Sequence, residues 1–344
     1  MTLPFQKLPY LVIQLILQKM RFLDLYMLSC TSAKTKRIVK NILKVRSYRL
    51  FVGVGEPLVL QIVSGTDEDY SEEIRFLSER KLKDVIPEQE DNVFLVNIGA
   101  VANVPSVYIE DDDNAVTCYT FWNNPKFGFN VISDAVSEVF GAKVEEVAMD
   151  VDVIPDYNYK IEIDWIENLF PTLPMFAMIG RCSFQDYIWL MKSVRAKKFV
   201  LFAMEPMGYP ENHEIVNLEL KEIEIKHGRW MNLQDIQAIK ARSIVVRDIS
   251  LKDNEINMLL RNLQALKEKS NLKRMNLEFH REANPEIVLE GLNAINEDLM
   301  KPKDSLKQWS FKLENGQKCT LIYAEYENDQ PDVHKFAFKI RIGN

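Results

Sequence analysis

A nearly all-apolar helix within the first twenty residues constrains this chain more than any other feature. The stretch from Leu8 to Met20 reads LPYLVIQLILQKM, and Gln14 and Gln18 form its one clear polar stripe, because residues four apart share a helical face. A helix that is apolar almost all round must be covered on nearly all sides. A unit of about 40 residues cannot cover it alone, because so small a domain buries too little surface. The segment therefore needs either the rest of the chain or a partner protein.

The motifs that follow the Leu-Pro pair come in a recognisable order. Apolar residues at helical spacing lead to an Asp-Leu turn at residues 24–25, then to Leu-Ser-Cys at residues 28–30, and then to a basic amphipathic third helix ending at residues 36–40. This order resembles the F-box, the three-helix module that docks onto the Skp adaptor of cullin-RING ubiquitin ligases. The resemblance covers roughly residues 3–43. It is nearest to the F-boxes of a large nematode family that carries a C-terminal F-box-associated domain. A turn proline frequent in that family, and a tryptophan frequent in the third helix of F-boxes, are absent here.

The resemblance implies partners and contact residues. It implies a substrate receptor that binds the Skp adaptor, and through it the cullin ligase, and that holds an unknown target protein with its C-terminal domain. It also implies that residues from about 220 to 290 belong to the F-box-associated domain, with LQDIQAIKARSIVVRDISLKDNEINMLLRNL and LKRMNLEF as the recognisable stretches. The implied adaptor-binding residues are Leu8, Pro9, Val12, Ile13, Ile16, Leu17, Leu25 and Leu28.

Three other interpretations of the first segment compete with the F-box. A signal peptide needs a basic start and an uninterrupted apolar stretch, but Pro9 and Gln14 fall inside this one. A transmembrane helix needs about 20 apolar residues, roughly twice the run found here. An ordinary core helix of one large domain explains the apolar positions, but it leaves the order of the motifs unexplained.

Composition limits the remaining function classes. The 344 residues suffice for two or three domains, and 47% hydrophobic with 27% charged residues are typical of a folded globular protein. A net charge of -7 argues against nucleic acid as a partner, which needs a clustered basic face, and no stretch predicts a membrane span. The four cysteines are scattered and predict free buried thiols, which suits the cytoplasm or the nucleus.

The rest of the chain predicts a mixed α+β or α/β fold in three further segments. Residues 46–130 form a β-rich region, with a short helix at 71–82 and a hairpin whose loop is the acidic stretch 111–114. Residues 131–300 repeat a helix followed by a short strand, which predicts parallel strands in an arc like that of leucine-rich repeats; an ordinary α/β domain stays open. Residues 301–344 form antiparallel strands around an Asn-Gly turn of type I′. With the F-box at 1–45, these are the predicted domains.

Within the repeating segment, the predicted helix and strand pairs have definite bounds. Their acidic residues Asp134, Asp186, Asp235 and Asp253 lie where helix caps or first turns are expected. A further strand is predicted at residues 216–225. The four pairs are residues 133–140 with 144–149, 184–194 with 198–203, 233–240 with 242–247, and 254–267 with 272–279.

No catalytic, cofactor-binding or metal-binding motif emerges from the sequence. The four histidines are dispersed and are expected on the surface or in loops, and the basic residues at 192–198 fit a solvated helix end better than a phosphate site. The chain is therefore predicted not to be an enzyme. The alternative to a substrate receptor is a non-catalytic scaffold whose F-box-like helices pack on its own body.

Overall fold

The structure is a computed structural model that divides the chain into two compact units. Unit 1 comprises residues 1–155 and unit 2 comprises residues 156–344. The domain boundaries expected at residues 45, 130 and 300 stay a prediction. The described residues are 7–42, 48–64, 67–85, 93–98, 101–110, 116–154, 158–210, 212–297, 307–327 and 334–343.

Three helices open unit 1, as predicted: α1 (Tyr10–Lys19), α2 (Phe22–Cys30) and α3 (Ala33–Ile42). The Asp-Leu turn expected at residues 24–25 is wrong, because both residues lie inside α2. The chain turns earlier, at Met20 and Arg21, whose extended backbone separates α1 from α2. Asp24 instead supplies an acidic side chain to the first turn of α2, where it complements the helix dipole.

A seven-stranded sheet with two further helices forms the rest of unit 1. In space the strands run in the order β7-β1-β2-β3-β6-β5-β4. The pairs β1–β7 and β3–β6 are parallel and the other neighbours are antiparallel. The elements are β1 (Tyr48–Val54), β2 (Leu58–Ser64), β3 (Asp67–Ser78), α4 (Leu82–Val85), β4 (Phe94–Ile98), β5 (Val101–Glu110), β6 (Val116–Trp122), α5 (Pro125–Phe140) and β7 (Lys143–Asp150).

Two predicted elements of unit 1 have different outcomes in the structure. The helix expected at residues 71–82 is wrong over residues 71–78, which belong to β3 and pair with β2 and β6, whereas residues 79–82 are helical. Ile74 and Phe76 are buried while their neighbours are less so, which is the period of a strand. The hairpin of β5 and β6 is confirmed, but its acidic loop at 111–114 lies outside the described residues.

Unit 2 contains a ladder of parallel strands that pair in chain order. The strands β8, β10, β13, β15 and β16 are joined by parallel pairing, and the antiparallel strands β20, β19, β18 and β17 continue from β16. The helices are α6 (Tyr159–Leu169), α7 (Phe184–Ser193), α8 (Leu233–Ala238), α9 (Asp253–Gln264) and α10 (Pro285–Leu289). The strands are β8 (Met175–Ile179), β9 (Arg181–Ser183), β10 (Phe199–Phe202), β11 (Glu205–Met207), β12 (Leu218–Glu219), β13 (Glu222–Ile225), β14 (Ile239–Lys240), β15 (Ser243–Val246), β16 (Arg274–Phe279), β17 (Ile295–Asn296), β18 (Lys307–Lys312), β19 (Lys318–Glu327) and β20 (His334–Gly343).

The four predicted helix and strand pairs are confirmed, and the structure adds a fifth, α6 with β8. The likeness to a leucine-rich-repeat arc stays a prediction. The single strand expected at residues 216–225 is divided into β12 and β13, which pair with different partners. The helix expected to begin at residue 133 begins at Pro125, so Asp134 lies in its interior and Asn124 is its cap.

The C-terminal hairpin of β18 and β19 is confirmed, but its turn differs from the prediction. A type I′ turn requires a positive φ at both central residues, and of Asn315 and Gly316 only Gly316 has one, at 85°. The amide N–H of Gly316 donates to the carbonyl of Leu313, and the amide N–H of Leu313 donates to the carbonyl of Gln317. This is a three-residue loop in which glycine takes the left-handed position.

Candidate functional site

The outer face of α1 carries large apolar side chains that its own unit does not cover. Leu11 is 71% exposed and Leu15 is 63% exposed, and Tyr10, Val12 and Ile16 are exposed as well. Leu11 and Leu15 are four residues apart and therefore lie one turn above the other on the same side of the helix. We call these five residues the α1 stripe. Contiguous exposed apolar residues of this kind mark a protein interaction surface.

The opposite side of α1 is buried in unit 1. Ile13 and Leu17 are buried, as are Leu25 on α2 and Val39 on α3. The helix begins at Pro9, whose carbonyl accepts hydrogen bonds from the amides of Val12 and Ile13 at 3.0 and 3.1 Å. An apolar helix is thus divided lengthwise, with one side in the core and the other facing solvent.

A buried carboxylate joins α2 to the sheet of unit 1. The two carboxylate oxygens of Glu72, on β3, accept hydrogen bonds from the backbone N–H groups of Phe22 and Leu23 at 2.6 and 2.8 Å. These donors are among the first N–H groups of α2, which have no partner within the helix. Burial raises the pKa of Glu72, and the two backbone hydrogen bonds act in the opposite direction.

Aromatic packing and an ion pair also join the N-terminal helices to the rest of unit 1. The ring of Phe22 lies 4.4 Å from that of Phe140 on α5 and 5.2 Å from that of Tyr48 on β1, measured between centroids. Lys36 on α3 forms a 2.6 Å ion pair with Glu138 on α5. These contacts join α2 and α3 to the rest of unit 1, and α1 contributes the buried side chains of Ile13 and Leu17 to the core.

Unit 2 contains a groove of about 850 Å³ whose lining residues all fall between positions 220 and 275. The helices contribute the apolar residues Ile236 from α8 and Leu259 and Leu263 from α9, together with polar side chains. The strands contribute Ile244 and Met275, which are buried. The volume lies within the range of ligand-binding clefts.

Basic residues without a charged partner line the same groove. Lys221, Arg242 and Lys273 each directly precede the first residue of β13, β15 or β16, and those first residues are paired in register. None of the three makes an ion pair with any described residue. Lys240 also lines the groove, but it pairs with Glu219 at 2.8 Å.

A smaller cleft of about 320 Å³ in unit 2 has a different character. It contains both signs of charge, and its main groups are already paired. Arg247 lies 2.9 Å from Glu224, and Asp248 lies 2.9 Å from His280. Within the described part of the chain, no three histidine, cysteine, aspartate or glutamate side chains come together as metal ligands, and no helix is both long and apolar enough to span a bilayer.

Comparison with protein-family models gives two matches. The F-box domain matches residues 5–46, which include the three N-terminal helices, and the F-box associated domain matches residues 211–277. The chain carries an F-box domain and an F-box-associated domain. The search of the curated proteins and the search of the solved structures gave no match. The α1 stripe therefore lies in the F-box, and every residue that lines the large groove lies in the F-box-associated domain.

The structure divides the eight expected adaptor-binding residues into three groups. Three are exposed, namely Pro9, Val12 and Ile16, and Leu8 and Leu28 are half-buried. The other three are buried in the F-box itself and are not available for contact in this structure, namely Ile13, Leu17 and Leu25.

Sequence reasoning missed part of both surfaces. It left Tyr10, Leu11 and Leu15 out of the expected contacts, although the four-residue spacing of Leu11 and Leu15 marks a common face. It also missed the groove, whose cations look scattered along the chain. Their one available signal is that Lys221, Arg242 and Lys273 stand at equivalent positions before three successive strands.

Proposed function

We propose that this chain is the substrate-receptor subunit of a Skp–cullin–F-box ubiquitin ligase. The α1 stripe in the F-box domain is the observation that carries the proposal, because five large apolar side chains of one helix face solvent while the opposite side is buried. Burying a fully exposed leucine contributes about 1.5–3 kcal/mol, so two leucines in a partner's groove supply much of a stable interaction.

The firm attachment of the F-box helices to the sheet of unit 1 suits a substrate receptor. Glu72 and the aromatic contacts of Phe22 fix the F-box to unit 1, so the stripe is presented in one orientation. A receptor raises the effective concentration of its target near a ubiquitin-charged enzyme, and its partners carry out the chemistry. We therefore assign no catalytic role to this chain. Its proposed partners are the Skp adaptor, the cullin ligase and a target protein, with neither nucleic acid nor membrane, in the cytoplasm or nucleus.

Co-expression with the Skp adaptor tests the proposal with one matched pair of variants. Leu15→Asp places a charge in the stripe and is expected to abolish co-purification of the adaptor, raising the dissociation constant at least about 30-fold. The control is Leu95→Asp on β4, because Leu95 is also 63% exposed and lies in the same unit. This control should bind like the unaltered chain. Adaptor binding that survives Leu15→Asp, or no binding by the unaltered chain, would exclude the proposed interface.

The scaffold alternative makes a different prediction about the same helices. If the F-box-like helices served only to pack on the chain's own body, their apolar side chains should be covered by it. The body does cover Phe22, Leu25 and Val39, but it leaves Leu11 and Leu15 exposed. An unaltered chain that is a soluble monomer and ignores the adaptor would favour the scaffold.

A further inference from the structure

The large groove in the F-box-associated domain combines an apolar lining with a single sign of charge. None of its lining residues is an aspartate or a glutamate, although the chain as a whole has a net charge of -7. Two carboxylates beside lining residues are paired with cations, because Glu219 lies 2.8 Å from Lys240 and Glu222 lies 3.9 Å from Arg274. The positive charge of the groove is therefore local and is not a reflection of composition.

The three unpaired cations are set out along a line by the sheet. Lys221, Arg242 and Lys273 occupy equivalent positions before three adjacent parallel strands. Adjacent strands are about 4.8 Å apart, so the backbones of the outer two cations are separated by about 10 Å. That distance corresponds to about three residues of an extended peptide. A ligand with a single carboxylate can satisfy only part of such a row.

Amide side chains complete the lining. Gln237, Asn262 and Asn271 line the groove and are exposed, and each amide can both donate and accept hydrogen bonds. Such groups can form hydrogen bonds with the alternating N–H and C=O groups of a peptide backbone, whereas a hydrocarbon chain has no hydrogen-bonding groups. The apolar residues Leu263 and Leu266 are half-buried beside them and offer contact to large apolar side chains.

We propose that this groove binds a short peptide segment in which two or three acidic residues lie close to large apolar residues. The carboxylates pair with the row of Lys221, Arg242 and Lys273, and the apolar side chains enter between α8 and α9. The inference rests on the proposed receptor function only where it identifies this peptide as part of the target protein. Recognition by opposite charge also disfavours basic segments, because like charges repel each other at close range.

Selection from a phage-displayed library of short random peptides tests the proposal on the full chain. Clones are selected for binding to the unaltered chain and are then depleted on a Lys221→Glu, Arg242→Glu variant, which also removes clones that bind the α1 stripe. The remaining clones are expected to carry acidic residues within about three positions of each other, next to leucine, isoleucine or phenylalanine. If no clones remain, or if they show no excess of acidic residues, the proposal is wrong.

Single substitutions then measure affinity with one selected peptide, labelled for fluorescence anisotropy. Lys221→Glu and Arg242→Glu should each weaken binding at least about tenfold. The matched control is Lys226→Glu, because Lys221 and Lys226 are both exposed and flank the same strand, β13, with only Lys221 in the groove. The control should change the affinity by less than about twofold. Equal losses for Lys221→Glu and Lys226→Glu would show unspecific attraction and overturn the proposal.

Two further measurements separate the outcomes. Oleate binding is measured as well, and if oleate binds while the selection leaves no groove-dependent peptide, the groove is a site for a fatty acid and the proposal is wrong. Each variant is also co-expressed with the Skp adaptor, because the groove substitutions should leave co-purification unchanged. Peptide binding without adaptor binding would reject the receptor function and keep the groove, and the reverse would reject the groove alone.

Discussion

The carboxylate of Glu72 shows how one residue of a strand can hold the F-box in place. It accepts two backbone N–H groups at the start of α2, which would otherwise have no partner in a buried position. Glu72→Ala should lower the free energy of unfolding by about 1–3 kcal/mol, because two buried donors lose their acceptor. Its role could not be foreseen, because the partner residues are separated from it by about 50 positions.

The raised pKa of Glu72 predicts a definite pH dependence. A carboxyl group whose pKa is higher in the folded state keeps its proton to a higher pH than in the unfolded chain. Its contribution to stability is therefore complete below the unfolded value of about 4.3 and is lost as the pH rises through the folded value. Glu72→Gln cannot titrate, so the stability of the unaltered chain relative to this variant should fall as the pH rises above about 4.3.

Urea unfolding of both proteins across that pH range provides the measurement. Glu145→Gln, a substitution of a half-buried glutamate on β7 of the same unit, serves as the control for general effects of removing a negative charge. If the difference in the free energy of unfolding between the unaltered chain and Glu72→Gln stays constant with pH, the carboxyl of Glu72 has the same pKa in the folded and unfolded states.

Histidine and cysteine show how far single residues could be predicted. Free cysteines were expected, and Cys118, Cys182 and Cys319 are indeed buried thiols. His213 lies in a loop, as expected, but its side chain is buried, with Nε2 2.9 Å from a carboxylate oxygen of Asp235. Asp235 is held there because its carboxylate also accepts the backbone N–H of Asn232 in the cap of α8. The local sequence predicted Asp235 at the start of α8, but it did not predict the contact between Asp235 and His213.

At the scale of elements, α5 depends on a glycine that its sequence alone would not favour. Gly128 lies in the first half of this helix, where glycine costs about 1 kcal/mol relative to alanine. A Cβ atom at this position would lie 2.3 Å from Cδ2 of Trp122, a buried side chain of β6. Glycine is therefore required at position 128, because a larger residue would prevent the close approach of α5 to β6.

Gly128→Ala tests that explanation, because propensity and packing predict opposite signs. We expect the free energy of unfolding to fall by about 1–3 kcal/mol through overpacking, despite the gain in helix propensity. Introducing Trp122→Leu should make the same alanine substitution harmless or stabilising. Gly141→Ala, at the positive φ of 65° that ends α5, is the control, because no side chain near it can relieve its strain. If Trp122→Leu brings no relief at position 128, steric contact is not the cause.

Elements with a clear hydrophobic period could be predicted from the sequence. Elements whose structure depends on pairing with distant strands could not. The four predicted helix and strand pairs, one in unit 1 and three in unit 2, were found because helical and strand periods alternate there. Residues 71–82 were expected to be helical because glutamate, arginine and leucine favour helices. Pairing with β2 and β6 outweighed that preference, and the alternation of Ile74 and Phe76 with Glu73 and Arg75 was the better signal.

The α1 stripe illustrates the same limit within one helix. The apolar character of α1 predicted that both its sides need to be covered. In the structure the core of unit 1 covers one side, and the other side is exposed to solvent. The polar stripe of Gln14 and Gln18 is narrow and the other positions of α1 are mostly apolar, so its sequence shows poorly which side turns outward. The expected contacts therefore included Ile13 and Leu17, which are buried, and omitted Leu11 and Leu15.

At the scale of the whole molecule, each compact unit contains one proposed binding surface. The α1 stripe is formed entirely by unit 1, and the groove is formed entirely by unit 2. A receptor must bind its adaptor and its target at the same time, so two surfaces with no residue in common suit that task. Substitutions at positions that share no contacts usually have additive effects, within about 0.5 kcal/mol.

The last prediction follows from that separation. Leu15→Asp should abolish adaptor binding and leave the affinity for a groove-selected peptide unchanged, and Arg242→Glu should do the reverse. In a chain that carries both substitutions, each loss should equal the loss in the single variant to within about 0.5 kcal/mol. Calorimetric titration with the Skp adaptor and with the peptide, each in the presence and absence of the other, provides the measurement. A peptide affinity that changes when the adaptor is bound, or when Leu15 is replaced, would mean that the two surfaces are coupled. The receptor would then act as a switch that senses its adaptor, instead of as a fixed bridge between two partners.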